Sequence, residues 1–205
     1  MIVVVDYGMG NVGSVANMLR KVGTEAVASA DLDVIRNAPK LILPGVGAFD
    51  AAMNRLHERG LVAILNRRVL EDRVPILGIC LGMQLMTDSS EEGRTTGLGW
   101  ISGGTRRFNF DGLEPRPRIP HMGWNVVEQA RPTPLFEEMY DQPRFYFVHS
   151  YHVYCSNQED VMLTTEYGYR FVSGVSRGYI YGVRFHPEKR HKLGKQLVRR
   201  FAGIL

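Results

Sequence analysis

The sequence predicts an α/β fold: a mostly parallel central sheet flanked by helices, with an antiparallel β extension later in the chain. Three observations predict it. Residues 1–86 alternate short apolar runs with segments of helical period, in the order β-α-β-α-β-α-β-α, which demands a parallel, helix-covered sheet. Residues 93–181 change texture, to many short runs with Gly, Pro and aromatic residues and little helical period. A strand over 179–185 then ends at His186, whose chemistry matches a residue of the first half. The two halves therefore build one site, and residues 1–205 are expected to form a single domain.

In order, residues 2–5 are a β-branched run, as in a strand buried on both faces. The loop Asp6-Tyr7-Gly8-Met9-Gly10-Asn11 follows. A helix over about 11–22 puts Val12, Val15, Ala16, Leu19 and Val22 on one face, and Gly23 stops it. The loop reads either as a phosphate cradle or as a tight strand-to-helix turn. It lacks the third glycine of a dinucleotide fingerprint and the lysine of a P-loop. Residues 25–29 form a second strand. Asp31 caps a brief helix ending near Ala38-Pro39. Residues 40–43 form a third strand, which runs into Pro44-Gly45-Val46-Gly47. Residues 49–70 are helical with a break near Gly60, and residues 75–79 form the fourth strand. Loops after the third and fourth strands share the C-terminal edge of a parallel sheet, where such folds place their sites.

Further strands are expected over 105–108, 124–128, 145–154, 162–167, 171–175 and 179–185, the last with one face buried. Residues 114–120 hold three prolines and read as an exposed turn. A final helix over about 189–204 puts Leu193, Leu197, Val198, Phe201 and Ile204 on one face.

Composition bounds the function. Apolar content of 44% and charged content of 22% are those of an ordinary globular protein. A net charge of +4 without a basic stripe interleaved with aromatics excludes a nucleic-acid binder. No apolar run approaches the ~20 residues of a membrane span, and the N-terminal run is too short for a signal peptide. Two cysteines make no disulfide framework, which fits a reducing, cytoplasmic setting. His149 and His152 have metal-type spacing, but no Cys or carboxylate cluster joins them. No metal and no cofactor are expected.

The chemistry centres on Gly78-Ile79-Cys80-Leu81-Gly82, placed where the fourth strand turns into a helix. This has the form of a nucleophile elbow with cysteine at its apex. The helix dipole favours the thiolate there, and the following N–H groups are free to hold an oxyanion. The competing reading is a buried structural cysteine between two glycines. Phe185-His186-Pro187-Glu188 supplies what an active cysteine needs. His186 and Glu188, two apart in an extended segment, point the same way, so the carboxylate orients an imidazole that serves the thiol. Gln84 lies one helical turn after Cys80 on the same face.

Gly-Ile-Cys-Leu-Gly-Met-Gln, Leu-Pro-Gly-Val-Gly-Ala-Phe and Phe-His-Pro-Glu-Lys together resemble the class I (triad) glutamine amidotransferases. Residues 6–11, Pro120-His121-Met122-Gly123-Trp124-Asn125 and Tyr146-Phe147-Val148-His149-Ser150-Tyr151 narrow the resemblance to the glutaminase subunits of imidazole glycerol phosphate synthase, over essentially the whole chain. The resemblance implies a flavodoxin-like fold and a catalytic set of Cys80, His186 and Glu188. It implies oxyanion donors at Gly47 (or its neighbour) and Leu81, and glutamine contacts at Gln84, Ser150 and Tyr151. Asn11, Met122, Trp124 and Tyr146 would face a (β/α)8-barrel cyclase of the HisF type, which receives the ammonia in a heterodimer. Activity of the subunit alone would be weak, with the oxyanion loop mis-set until the partner and its ligand bind. One departure stands out: Arg190-His191 replaces two serines usual after the His-Pro-Glu-Lys element. It keeps open a second acceptor, a different synthase making an amidino or amino sugar for a surface polysaccharide. Outside the amidotransferases stand a cysteine peptidase or deglycase with the same elbow, and an inactive binding module.

Overall fold

The computed structural model describes residues 1–189 and 191–204 and, for His191, the backbone only. Among them the elements are β1 (Ile2–Val5), α1 (Val12–Lys21), β2 (Ala26–Ser29), α2 (Leu32–Arg36), β3 (Leu41–Gly45), α3 (Phe49–Glu58), α4 (Leu61–Asn66), β4 (Ile76–Cys80), α5 (Leu81–Leu85), β5 (Thr87–Ser90), β6 (Ile101–Arg107), β7 (His121–Val126), β8 (Glu128–Gln129), β9 (Arg144–His149), β10 (Tyr151–Cys155), β11 (Val161–Tyr167), β12 (Tyr169–Arg177), β13 (Ile180–Val183) and α6 (His191–Gly203).

The main sheet runs β2-β1-β3-β4-β13-β12-β10-β6-β5. From β2 to β13 each pairing is parallel. From β13 to β6 each is antiparallel. β11 and β8 continue outward from β12, and β7 pairs with β9 in a separate ribbon. Strand alternation divides the core. Val3, Val5, Leu41 and Leu43 pack with Phe49, Leu56 and Leu65 of α3 and α4. Ile2, Val4, Ile42 and Leu77 pack with Leu19 of α1 and with Leu197 and Phe201 of α6. Both faces of β1, β3 and β4 are therefore covered, which is why these runs are apolar throughout. Each large side chain so buried is worth about 1.5–3 kcal/mol.

Local signals worked as chemistry requires. The Asp31 carboxylate accepts from the N–H groups of Asp33 (2.8 Å) and Val34 (3.1 Å) at the start of α2, a cap worth about 1 kcal/mol. Gly60 separates α3 from α4.

Four expectations need correction. β5 was not anticipated, because Thr-Asp-Ser-Ser has no apolar alternation; it is recruited by pairing with β6. The single strand over 145–154 is two, β9 and β10, broken at Ser150 because they join different sheets. β13 is buried on both faces rather than one, since it lies between β4 and β12. The segment after His186 is not extended: Pro187–Lys189 form a 3-10 turn.

Candidate active site

β4 ends at Cys80, whose φ of +57° is a value L side chains adopt only under constraint. The constraint is the packing of β3, β4 and α5 against each other. A Cβ on Gly82 would stand 1.8 Å from the Leu43 carbonyl oxygen, so the glycine after the apex is demanded by close approach.

β13 pairs with β4 and carries the second half of the chain to this point. Just past its end, His186 is fixed from outside the main sheet, because its N–H donates to the Tyr146 carbonyl on β9 (2.9 Å). The turn at Pro187–Lys189 swings Glu188 back, and His186 Nδ1 donates to Glu188 Oε1 at 2.8 Å, with both side chains almost out of solvent. That bond fixes the tautomer and leaves Nε2 for the sulfur. Among the described residues Nε2 has no other hydrogen-bond partner, and it lies within reach of the Cys80 sulfur, so that each group shifts the ionisation of the other.

Electrostatics favour the ion pair. Burial pushes the Cys80 thiol up, but the Arg184 guanidinium and His186 outweigh it and bring the group down to about 7. Burial pulls His186 down, but Cys80 and Glu188 outweigh it and raise it to about 10. Between those values the pair is thiolate and imidazolium, the form in which a cysteine is an activated nucleophile.

Arg184 was missed by the sequence reading. Its Nη1 donates to Cys80 Sγ at 2.9 Å and its Nε to the Tyr151 carbonyl at 3.2 Å. A signal was available: Arg184 and His186 are two apart at the end of a strand, and such residues share a face. The helix dipole was expected to stabilise the thiolate; α5 is five residues long, and the cations that face the sulfur are Arg184 and His186, with Arg184 exerting the larger pull.

Cys80 opens into a cavity of about 300 Å³ bounded by Gly47, Leu81, Gln84, Ser150 and Tyr151. The structure thus brings together every residue expected to form the oxyanion and glutamine sites. Gln84 is buried, and its side-chain nitrogen has no partner among the described residues. Gly47 has a φ of +104°. The Tyr151 carbonyl is already taken, by Arg184 and by His149 Nδ1 (2.7 Å). The Ser150 carbonyl accepts from the Phe108 N–H (3.0 Å). Glu92, also missed from sequence, places a carboxylate on the same cavity and accepts from the Phe49 N–H (3.1 Å). A larger open groove of about 940 Å³ follows α6, but neither a cysteine nor a histidine is among its described lining residues.

The residues expected at a partner surface are not among those lining the Cys80 cavity. Met122 and Trp124 are 61% and 48% exposed on β7. Trp124 packs edge-on against Tyr146 of β9, ring centres 5.5 Å apart. Asn11 is exposed just before α1. Arg190, half of the Arg190-His191 departure, lies outside the described residues. His149 and His152 do not converge on a common point: each ring nitrogen has its own protein partner.

Comparison with known proteins bears on the same residues. The family described as Glutamine amidotransferase class-I matches residues 3–203. The chain belongs to that family. Among similar proteins are the imidazole glycerol phosphate synthase subunits HisH 2 of Methanococcus maripaludis, 51% identical over 98% of both chains, and of Pseudomonas aeruginosa, 46% identical over the whole of both. A crystal structure of a glutamine amidotransferase superposes over the full length of both chains with a TM-score of 0.73 at 19% identity, which shows the shared fold. This class I glutamine amidotransferase therefore presents a cysteine, a histidine–carboxylate pair and a cavity of amino-acid size at the C-terminal edge of its sheet, as acyl transfer from a small amide requires.

Proposed function

We propose that this class I glutamine amidotransferase is the glutaminase subunit of an imidazole glycerol phosphate synthase, acting in histidine biosynthesis as one domain over residues 1–205. The observation that carries the reading is the 46–51% identity, over nearly the whole of both chains, to proteins named as that subunit. It favours the histidine route over a synthase for a surface sugar.

The Cys80 thiolate attacks the side-chain amide carbon of glutamine, and the carbonyl π pair moves to oxygen. The N–H groups of Leu81 and Gly47 receive that oxyanion; one such donor is worth about 3 kcal/mol of barrier. His186, held by Glu188, gives its proton to the nitrogen, the C–N bond breaks, and ammonia leaves a glutamyl thioester. Water, losing a proton to His186, cleaves the thioester to glutamate and restores the thiolate. Gln84 donates to the substrate, Ser150 and Tyr151 wall its amino-acid end, and the Glu92 carboxylate complements its ammonium.

Ammonia free in neutral water is protonated and no longer nucleophilic, so the product needs a dry route. Met122, Trp124, Tyr146 and Asn11 form the face toward a (β/α)8-barrel cyclase in a cytoplasmic heterodimer. Exposed Met and Trp are typical of interface cores. The test is glutamate release by this chain alone, then with a cyclase of that synthase and its nucleotide ligand. Strong stimulation, absent in Cys80→Ala, is expected. Full turnover without the partner would refute the gating. No stimulation and no binding would move the acceptor to another synthase.

A further inference from the structure

A guanidinium inside a protein needs an anion and acceptors around it, because burial removes its water. Arg184 is 4% exposed. Among the described residues no carboxylate lies within ion-pair reach of it. Its side chain meets two acceptors, the Tyr151 carbonyl and the Cys80 sulfur. The sulfur alone can carry the compensating charge.

We propose that Arg184 is a positioning residue that holds the resting Cys80 sulfur as a thiolate in one place, and that the Tyr151 carbonyl, gripped in turn by a chain of buried histidines, holds Arg184. This rests on Cys80 being the nucleophile.

The chain can be followed atom by atom. A carbonyl only accepts, so the proton between Tyr151 O and His149 Nδ1 sits on the nitrogen (2.7 Å). His149 Nε2 must then accept, and His121 Nδ1 donates to it (3.1 Å). His121 Nε2 accepts from the Asn125 amide (3.2 Å), whose other proton goes to the Glu166 carbonyl (2.8 Å). Only one arrangement of protons satisfies every bond, and it keeps both imidazoles neutral. Burial, and then the charge of Arg184, hold both below the ordinary imidazole range, His121 at about 4. Neutral histidines place no second cation beside Arg184 to repel it.

The charges around the sulfur then close in pairs: Arg184 with the thiolate, imidazolium His186 with Glu188. The other groups facing it are His149 and Glu92, across the cavity, and Tyr7, which burial keeps protonated. In the reaction Arg184 loses its anion when the thioester forms and regains it on hydrolysis. It therefore favours return of the sulfur as thiolate, a role distinct from that of the proton-carrying His186.

The experiment is the pH profile of Cys80 alkylation by iodoacetamide, in the full chain, for the wild type and for Arg184→Gln, Arg184→Lys and His186→Ala. The wild-type midpoint should lie near 7. Arg184→Gln should raise it by at least about one pH unit, cutting the alkylation rate at pH 7 about fivefold. Arg184→Lys keeps the charge but cannot serve both acceptors, and should fall between. His186→Ala should leave the midpoint below that of an ordinary cysteine, because Arg184 remains. The proposal is overturned by an unmoved profile in Arg184→Gln, or by an ordinary thiol in His186→Ala. If Arg184→Gln does not fold, the His186→Ala profile decides by itself. Glutamate release that survives Cys80→Ala would sink the nucleophile reading instead, so the two failures are separable.

Discussion

One histidine is charged and three are neutral, though all four sit at equal depth. His186 is 5% exposed; His121, His149 and His152 are 2%, 5% and 2% exposed. Burial pulls every one of them down. Yet His186 ends at about 10, His121 and His152 at about 4, and His149 well below its ordinary value. Depth cannot be the cause. His186 lies between a carboxylate and a thiolate. The others receive a carbonyl, an amide, a tyrosine hydroxyl and one another, and they share their space with Arg184. The partner's charge decides the ionisation. One set is equipped to move protons, and the other forms a neutral wall that keeps the arginine's charge for the sulfur.

The comparison breaks hardest on the charged side. Cys80→Ala should reduce glutaminase activity, measured as glutamate release with the partner present, by at least about 10⁴-fold. Glu188→Gln should cost about 10³–10⁴-fold, because an amide neither orients nor stabilises the imidazolium. It should also raise the alkylation midpoint of Cys80. Activity within tenfold of wild type would show that His186 owes its charge to the thiolate alone. Gly47→Ala ranks next. Its φ of +104° is costly for alanine, and the new Cβ would stand 2.9 Å from the Met9 methyl. A displaced donor predicts a loss of about 10²-fold in kcat with the alkylation profile of Cys80 unchanged. The wild type itself sharpens the contrast through kcat/KM against pH. Activity should rise through about 7 as Cys80 ionises and fall through about 10 as His186 gives up its proton. A profile that falls through 7 instead would reverse the assignment.

The charged side was largely legible in the sequence and the neutral side was not, for a physical reason. Cys80 announces itself through Gly78 and Gly82, and His186 through the proline and glutamate after it. These are short-range signals, like the apolar run at Ile2–Val5 and the Asp31 cap. Even there the reasoning was partly off: His186 and Glu188 meet across a turn, not along an extended segment. Arg184, just past β13, His149 at the end of β9 and His121 at the start of β7 meet only because these strands, distant in sequence, are gathered around Tyr151 of β10. Nothing near any of them specifies the others. β5 escaped for the same reason, since Thr-Asp-Ser-Ser becomes a strand only when β6 is beside it. The split at Ser150 is a choice between two sheets, which no single strand's pattern records.

The smallest expected effect probes the neutral side away from the thiol. His152 Nε2 meets the Tyr169 hydroxyl at 2.9 Å, and its ring packs against Phe108, centres 4.8 Å apart. His152→Phe keeps the ring contact and removes both hydrogen bonds, to the Tyr169 hydroxyl and to the Val153 carbonyl (3.2 Å), so it should cost about 1–3 kcal/mol at pH 7 and leave activity within about twofold. The pH dependence has a definite sign. His152 is lowered by burial and by Arg106 and Arg184 against the pull of the Val153 carbonyl and Glu91, to about 4. Its unfolded value is near 6.5. A histidine lowered in the fold contributes stability that is full above 6.5 and is lost as pH falls toward 4, because the unfolded chain takes up the proton first. Phenylalanine has no proton to take up. Urea midpoints at pH 7 and pH 5 should therefore show the gap between wild type and variant closing as the solution is acidified. A gap of constant width would mean that His152 is not held neutral by its surroundings, and the division between the two groups of histidines would then stop at His121 and His149.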